Sequence, residues 1–173
     1  MTDLMIDLET LGTDPETPVI SLGAVFFNPT TKVLGPTFYM VMDVEEQIAR
    51  GRKPTGSTIK WWMGQKDAAK KVFHEKSKPV ADVLNLFTGW YKSNSTGKRG
   101  SYVWGNGSSF DISIMENIYK DYGLEYPWSQ YNIMDLRTFR RFIGDGDKIK
   151  KGGVNHNALD DAVAQAQYVM EKL

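Results

Sequence analysis

The stretch Leu4-Met5-Ile6-Asp7-Leu8 decides how the rest of the chain is read. It is a short, mostly apolar run that starts almost at the first residue, the pattern of a buried strand. A polar turn follows at Gly12-Thr13-Asp14-Pro15, with Pro18 beyond it. Val19-Ile20-Ser21-Leu22-Gly23-Ala24-Val25-Phe26-Phe27 then reads as a second strand. Asn28-Pro29-Thr30-Thr31 turns the chain again, into a third strand rich in β-formers from Val33 to Met42. Three strands joined by short turns predict an antiparallel meander.

After residue 43 the pattern changes. Ser57 or Thr58 is a suitable cap for a helix running through Trp61 and Trp62 towards Phe73, and Pro79 can open another through Val83, Leu86, Phe87 and Trp90. Ser93 to Ser101 reads as a polar, mobile loop and Tyr102-Val103-Trp104 as a fourth strand. Phe110 to Tyr122 suits a helix with Ile114, Met115, Ile118 and Tyr119 on one side. Tyr131 to Met134 reads as a short fifth strand, followed by a helix from Asp135 to Phe142, a loop from Gly144 to Gly153, and a closing helix from Asn157 to Leu173. The expected class is α/β: one mixed sheet of five strands flanked by helices.

The 173 residues are close to the ~150 expected of one domain, so residues 1–173 are read as a single domain. A chain with 41% hydrophobic and 24% charged residues is not a disordered one. The absence of cysteine excludes a disulfide framework, a thiolate zinc site and cysteine nucleophiles. No apolar stretch approaches ~18 residues, and Met1-Thr2-Asp3 shows no signal-peptide flank, so a cytoplasmic protein without a membrane partner is expected. The 21 basic residues balance 21 acidic ones. A neutral chain lacks the broad positive field of a sequence-tolerant duplex binder, so any nucleic-acid contact has to be local or assisted by metal ions.

Carboxylates carry the functional signal. Asp7 and Glu9, two apart on the first strand, leave the same face roughly 6–7 Å apart. Such a pair on an apolar strand is costly unless a cation joins it, or unless the strand has already ended in solvent. Asp111 follows Trp104-Gly105-Asn106-Gly107-Ser108-Ser109-Phe110 and sits at a helix start, where dipole capping alone also accounts for an acid. On the closing helix, Leu159, Ala162, Val163, Ala166, Met170 and Leu173 form the expected buried stripe. Asp160 and Asp161 fall off its opposite edges, with Asp161 on the edge of the small Ala158. That periodicity leans to Asp161, and a capping role for either acid stays open. Four carboxylates from three segments with one histidine, His156, suit two hard divalent cations. Such ions stabilise both oxygens of a phosphodiester displacement, and an imidazole can take the proton of the attacking water.

Asp7-Leu8-Glu9-Thr10, Asn106-Gly107-Ser108-Ser109-Phe110-Asp111 and His156-Asn157-Ala158-Leu159-Asp160-Asp161 together resemble the three motifs of the DEDDh exonuclease superfamily. Ile20 to Val25 and Thr58-Ile59-Lys60-Trp61-Trp62 are similar to the subgroup of RNase AS and phage exonuclease A, which includes short phage proteins labelled exonuclease VIII-like. The resemblance implies an RNase H-like fold and 3′→5′ removal of nucleoside 5′-monophosphates from single-stranded DNA or RNA ends, with DNA favoured because the chain looks phage-like. It implies Asp7, Glu9, Asp111 and Asp161 as ligands of two Mg²⁺ or Mn²⁺ ions and His156 as general base. It implies Thr10, Leu11 and Gly12, with Asn106 and Phe110, as the receivers of the terminal nucleotide. The competing readings are an exoribonuclease, a catalytically silent nucleic-acid-binding module of the same fold, and an RNase H-type endonuclease.

Trp61 and Trp62 diverge by about 100° on a helix, so one can stack on a base while the other packs in the core or in a subunit interface. Monomer and homodimer are both compatible with that. Arg137, Arg140 and Arg141 with Lys148, Lys150 and Lys151 make a short basic stretch, either phosphate-tracking or simply solvated. Asp145 and Asp147 read as turn residues, and His74 is assigned no role.

Overall fold

The structure, a computed structural model, describes residues 2–96, 100–144, 149 and 156–173. Its five strands are β1 (Asp3–Thr10), β2 (Val19–Asn28), β3 (Val33–Val41), β4 (Val103–Gly105) and β5 (Ile133–Asp135). They lie side by side in the order β3-β2-β1-β4-β5. β1–β2 and β2–β3 pair antiparallel, while β1–β4 and β4–β5 pair parallel, so the expected meander and the two parallel additions are both present.

The helices are α1 (Val44–Ala49), α2 (Gly56–Met63), α3 (Asp67–Lys70), α4 (Val80–Asn94), α5 (Asp111–Asp121), α6 (Leu136–Phe142) and α7 (Ala158–Lys172). On one face of the sheet Leu4, Ile6 and Leu8 meet α4 and α5 through Val83, Phe87, Ile112 and Met115. On the other, Met5, Val25, Phe27 and Trp104 meet α6 and α7 through Leu136, Ala162, Ala166 and Val169. β1 is the central strand and contributes to both layers, which is why its sequence is almost continuously apolar.

Four local expectations are corrected. The helix through Trp61 does not reach Phe73. It starts after Thr55, ends at Met63, and resumes as α3 and a 3₁₀ turn at Lys71–His74. Gly64 is a poor helix former and Lys66 is extended (φ −65°, ψ 153°); the break returns Ala69 and Val72 to Trp62, Ile20 and Val41. Helix α1 was not foreseen, although Asp43 accepts the Glu46 N–H at 2.9 Å in a recognisable Asp-x-x-Glu start. On α4 the buried residues are Val80, Val83, Leu84, Phe87 and Tyr91, and Leu86 is exposed. The stripe of α7 is partly rotated: Ala162, Ala166 and Met170 are buried as expected, joined by Ala158, Asp161, Gln165 and Val169, while Leu159 and Val163 are half-buried and Leu173 is exposed. Ala162 and Ala166 pack into the core on that side of the sheet beside Tyr168, Val169 and Met170. The expected loop at Gly144 to Gly153 falls largely outside the described residues, as do Gly97 to Arg99 of the loop before β4.

Candidate active site

Strand alternation places Asp7 and Glu9 on the α7 side of β1, continuing the face that Met5 begins. Glu9 is buried and pairs with Ser21 across the ladder; the β1–β2 register then slips between Glu9 and Thr10. Beyond the slip the end of β1 is held by other contacts. Trp62 Nε1 donates to the Thr10 carbonyl at 2.8 Å, and Thr10 Oγ1 donates to the Gly12 carbonyl at 2.7 Å.

Asp111 approaches from the neighbouring strand. β4 pairs with β1 only at Leu4 and Met5 and ends at Gly105, so the Leu8 N–H has no ladder partner on that side. Asp111 Oδ1 accepts it at 3.2 Å, and the Asn106 backbone N–H also donates to the Asp111 carboxylate. A Cβ on Gly105 would stand 3.2 Å from Asp111 Cβ and Oδ2, so the glycine makes room for that approach. Asp135 accepts N–H groups from Ser108 and from Thr138 (2.7 Å), tying the loop before Asp111 to the start of α6.

The third segment arrives through a backbone-to-backbone contact. A Cβ on Gly23, the β2 partner of Asp7, would lie 2.1 Å from the Ala158 carbonyl carbon and 2.3 Å from the Leu159 nitrogen. Asn157 caps α7 by accepting from the Leu159 and Asp160 N–H groups, so neither aspartate is needed as the cap. Asp161 is buried, whereas Asp160 is half-buried. Ligand atoms of Glu9, His156 and Asp161 all lie within 4.8 Å of one another, a set that could hold a metal ion. Gln165, one turn after Asp161, donates from Nε2 to Asp7 Oδ1 at 2.7 Å. His156 has a positive φ of 63° and its ring meets Trp61 edge-on at 4.8 Å.

Glu9 and His156 open onto a cleft of about 590 Å³ whose walls also include Thr10, Gly12, Trp61, Phe110 and Arg137. Trp61 is the exposed member of the tryptophan pair and Trp62 the buried one. The Leu11 side chain packs towards Ile20 and Trp62 instead of lining the cleft, and Asn106 enters the site through its backbone. Of the basic stretch, Arg137 reaches the cleft wall and Arg140 lies over the Tyr168 ring; Lys148, Lys150 and Lys151 fall outside the described residues, as do Asp145 and Asp147. A larger cavity of about 860 Å³, along the outer side of α5, contains none of the expected site residues.

The site is electrostatically unbalanced. Burial, and then the neighbouring Asp111, Glu9 and Asp161 charges, hold the Asp7 carboxyl well above the usual carboxylate range, with the Gln165 hydrogen bond opposing them. Burial pushes Asp111 up to about 7 against the opposing N–H groups and Arg137. Negative charge concentrated here, on oxygen donors, is what a hard divalent cation would neutralise. Gln165 was not anticipated from sequence. Its signal was a polar residue four after Asp161, on what became the buried face of α7.

A mixed five-stranded sheet thus brings carboxylates from β1, α5 and α7 near one another, on a fold shared with solved exonucleases. The fold is similar to the nuclease domain of 3′hExo, a DEDDh family member solved with rAMP, at a TM-score of 0.61 and 18% identity over 98% of this chain and 90% of that one. It is similar to E. coli exonuclease I in complex with a dT13 oligonucleotide, at a TM-score of 0.67 and 16% identity over 98% of this chain and 40% of that one. The chain belongs to the Rv2179c-like 3′-5′ exoribonuclease domain family, whose model matches residues 2–173. It is 29% identical over 136 residues to an exodeoxyribonuclease of Enterobacteria phage T4, covering 70% of this chain and 57% of that relative. The match thus spans little more than half the length of that phage protein. No helix among the described residues is long and apolar enough to cross a membrane.

Proposed function

We propose that the chain removes nucleotides one at a time from the 3′ end of single-stranded nucleic acid, releasing nucleoside 5′-monophosphates. The observation that carries this is the convergence of Asp7, Glu9, Asp111 and Asp161, from three distant segments, beside a cleft that Glu9 and His156 line. The donor set fits Mg²⁺ or Mn²⁺: all carboxylate oxygen, no thiolate, and buried acids that resist ionisation without a cation. Asp7, Glu9, Asp111 and Asp161 would hold two such ions. When bound, the cations supply the positive charge that balances the charge developing on the phosphodiester.

The chain's own groups do the rest. His156, with a reference pKa near 6.5, accepts the proton of the attacking water on a ring nitrogen, worth about 10²–10⁴ in rate. Thr10 and Gly12 on the cleft floor, with the Leu11 backbone between them, receive the terminal nucleotide. Phe110 and the exposed face of Trp61 stack on bases, and Asn106 fixes Asp111 through its N–H. Arg137 offers a guanidinium to the strand's phosphates, so that a chain of zero net charge meets a polyanion through a local cation. DNA is taken as the first substrate because the phage relative is an exodeoxyribonuclease. RNA is the second reading because the family is described as exoribonuclease.

The test is cleavage of 5′-labelled single-stranded DNA and RNA oligomers of one sequence in Mg²⁺, with Asp7→Ala as control. A ladder shortening from the 3′ end and absent in the control is expected, and circular strands should resist. No cleavage of either strand in Mg²⁺ or Mn²⁺ would leave a silent binding module, and cutting of circles would make it an endonuclease.

A further inference from the structure

We propose that Gln165 is a positioning residue of the acidic site: its amide fixes the Asp7 carboxylate for metal binding. The inference rests on the metal-site reading above and extends it to a residue outside the three motifs. Gln165 is 3% exposed and lies one turn beyond Asp161, so both face the sheet from the same side of α7. Its Nε2 donates to Asp7 Oδ1 at 2.7 Å, a short hydrogen bond. That contact joins the third segment directly to the first, across 158 residues of sequence.

Stability alone does not account for an amide here. The neighbours along the stripe are Ala162, Ala166 and Val169, which an apolar side chain would continue. Gln165 Oε1 is buried and accepts no hydrogen bond from any described residue, a state that costs the fold free energy. What the amide provides is a neutral donor. It orients Asp7 without adding a fifth carboxyl group to a site already crowded with four. A carboxylate held by a hydrogen-bonded neighbour is pre-organised for a cation, and loss of such an outer partner typically weakens metal binding by about 10–100-fold.

Gln165→Met, close in volume and a good helix former, removes the donor and the unsatisfied oxygen together. Thermal unfolding is followed in EDTA and across a Mg²⁺ titration, together with the Mg²⁺ dependence of oligonucleotide cleavage. In EDTA the variant exchanges the unsatisfied Gln165 Oε1 for an Asp7 Oδ1 without its donor, so its melting temperature should stay close to that of the wild type. Its half-saturating Mg²⁺ should rise 10–100-fold in both assays, with cleavage recovering at high Mg²⁺. A purely structural role would instead lower the melting temperature in EDTA. An unchanged half-saturating Mg²⁺ in Gln165→Met would overturn the proposal. Should that variant fail to fold, Gln165→Asn, which keeps the amide but shortens its reach, is held to the same Mg²⁺ criterion. If the wild type itself shows neither Mg²⁺-dependent stabilisation nor cleavage, the metal-site reading is what fails.

Discussion

Substituting Gly23 by alanine tests whether the site depends on α7 lying directly on the sheet. The added Cβ would stand 2.1 Å from the Ala158 carbonyl carbon and 2.3 Å from both the Ala158 oxygen and the Leu159 nitrogen. Ordinary contact begins near 3.4 Å, so the start of the helix has to retreat by about 1 Å. The strand cannot yield instead, because Gly23 is laddered to Asp7 on one side and Tyr39 on the other. Overpacking of this kind costs about 1–3 kcal/mol. A 1 Å displacement of groups positioned for catalysis costs about 10²-fold in rate. Gly23→Ala should therefore unfold at lower urea and, while still folded, cleave at least tenfold more slowly with weaker Mg²⁺ dependence. Because the clashing atoms are backbone, adding Ala158→Gly should not restore activity. A Gly23→Ala protein with wild-type stability and cleavage would refute the packing argument, and rescue by Ala158→Gly would show that the side chain was the obstacle.

Asp7→Asn removes one of four mutually repelling acids, so in EDTA it should unfold at higher urea than the wild type while losing cleavage; a destabilised variant would mean the repulsion is not felt. His156→Ala should lower the cleavage rate by about 10²–10⁴ and leave Mg²⁺-dependent thermal stabilisation in place; loss of that stabilisation would make His156 a ligand instead of a base. The Asp111 carboxyl titrates near 7 in the folded protein against 3.8 as its ordinary value, so the folded state binds this proton more tightly. Its contribution is complete below about pH 3.8 and is lost as pH rises towards 7. Urea unfolding in EDTA should accordingly show stability falling between pH 5 and 7, and saturating Mg²⁺ should remove that fall; a metal-free protein that gains stability over this range would contradict it.

Much of this molecule was legible in the linear chain because its signals are local. The apolar run at Leu4 to Leu8, the turns at Gly12 and Asn28, and the β-rich segments between them were enough for the meander. The i, i+2 spacing of Asp7 and Glu9 was enough to put both on one face. Local signals failed where a helix is seated by contact with something distant. Periodicity pointed to Leu159, Ala162, Val163, Ala166, Met170 and Leu173 as the buried stripe of α7; Ala162, Ala166 and Met170 are buried, but the face is rotated off Leu159 and Leu173, where Gly23 of β2 lets two backbones touch. That rotation is what turns Asp161 inward and leaves Asp160 at the edge, a choice periodicity could only lean towards. It also turns Gln165 onto Asp7. The pairing of Leu8 N–H with Asp111, 103 residues away, has the same origin: β4 ends early and a side chain takes the place of a strand. Residue types and short spacings thus determined which chemistry the chain carries. The tertiary structure decided which acid of a pair faces the site and what holds it there, since those depend on close approaches between segments that no spacing in the chain encodes.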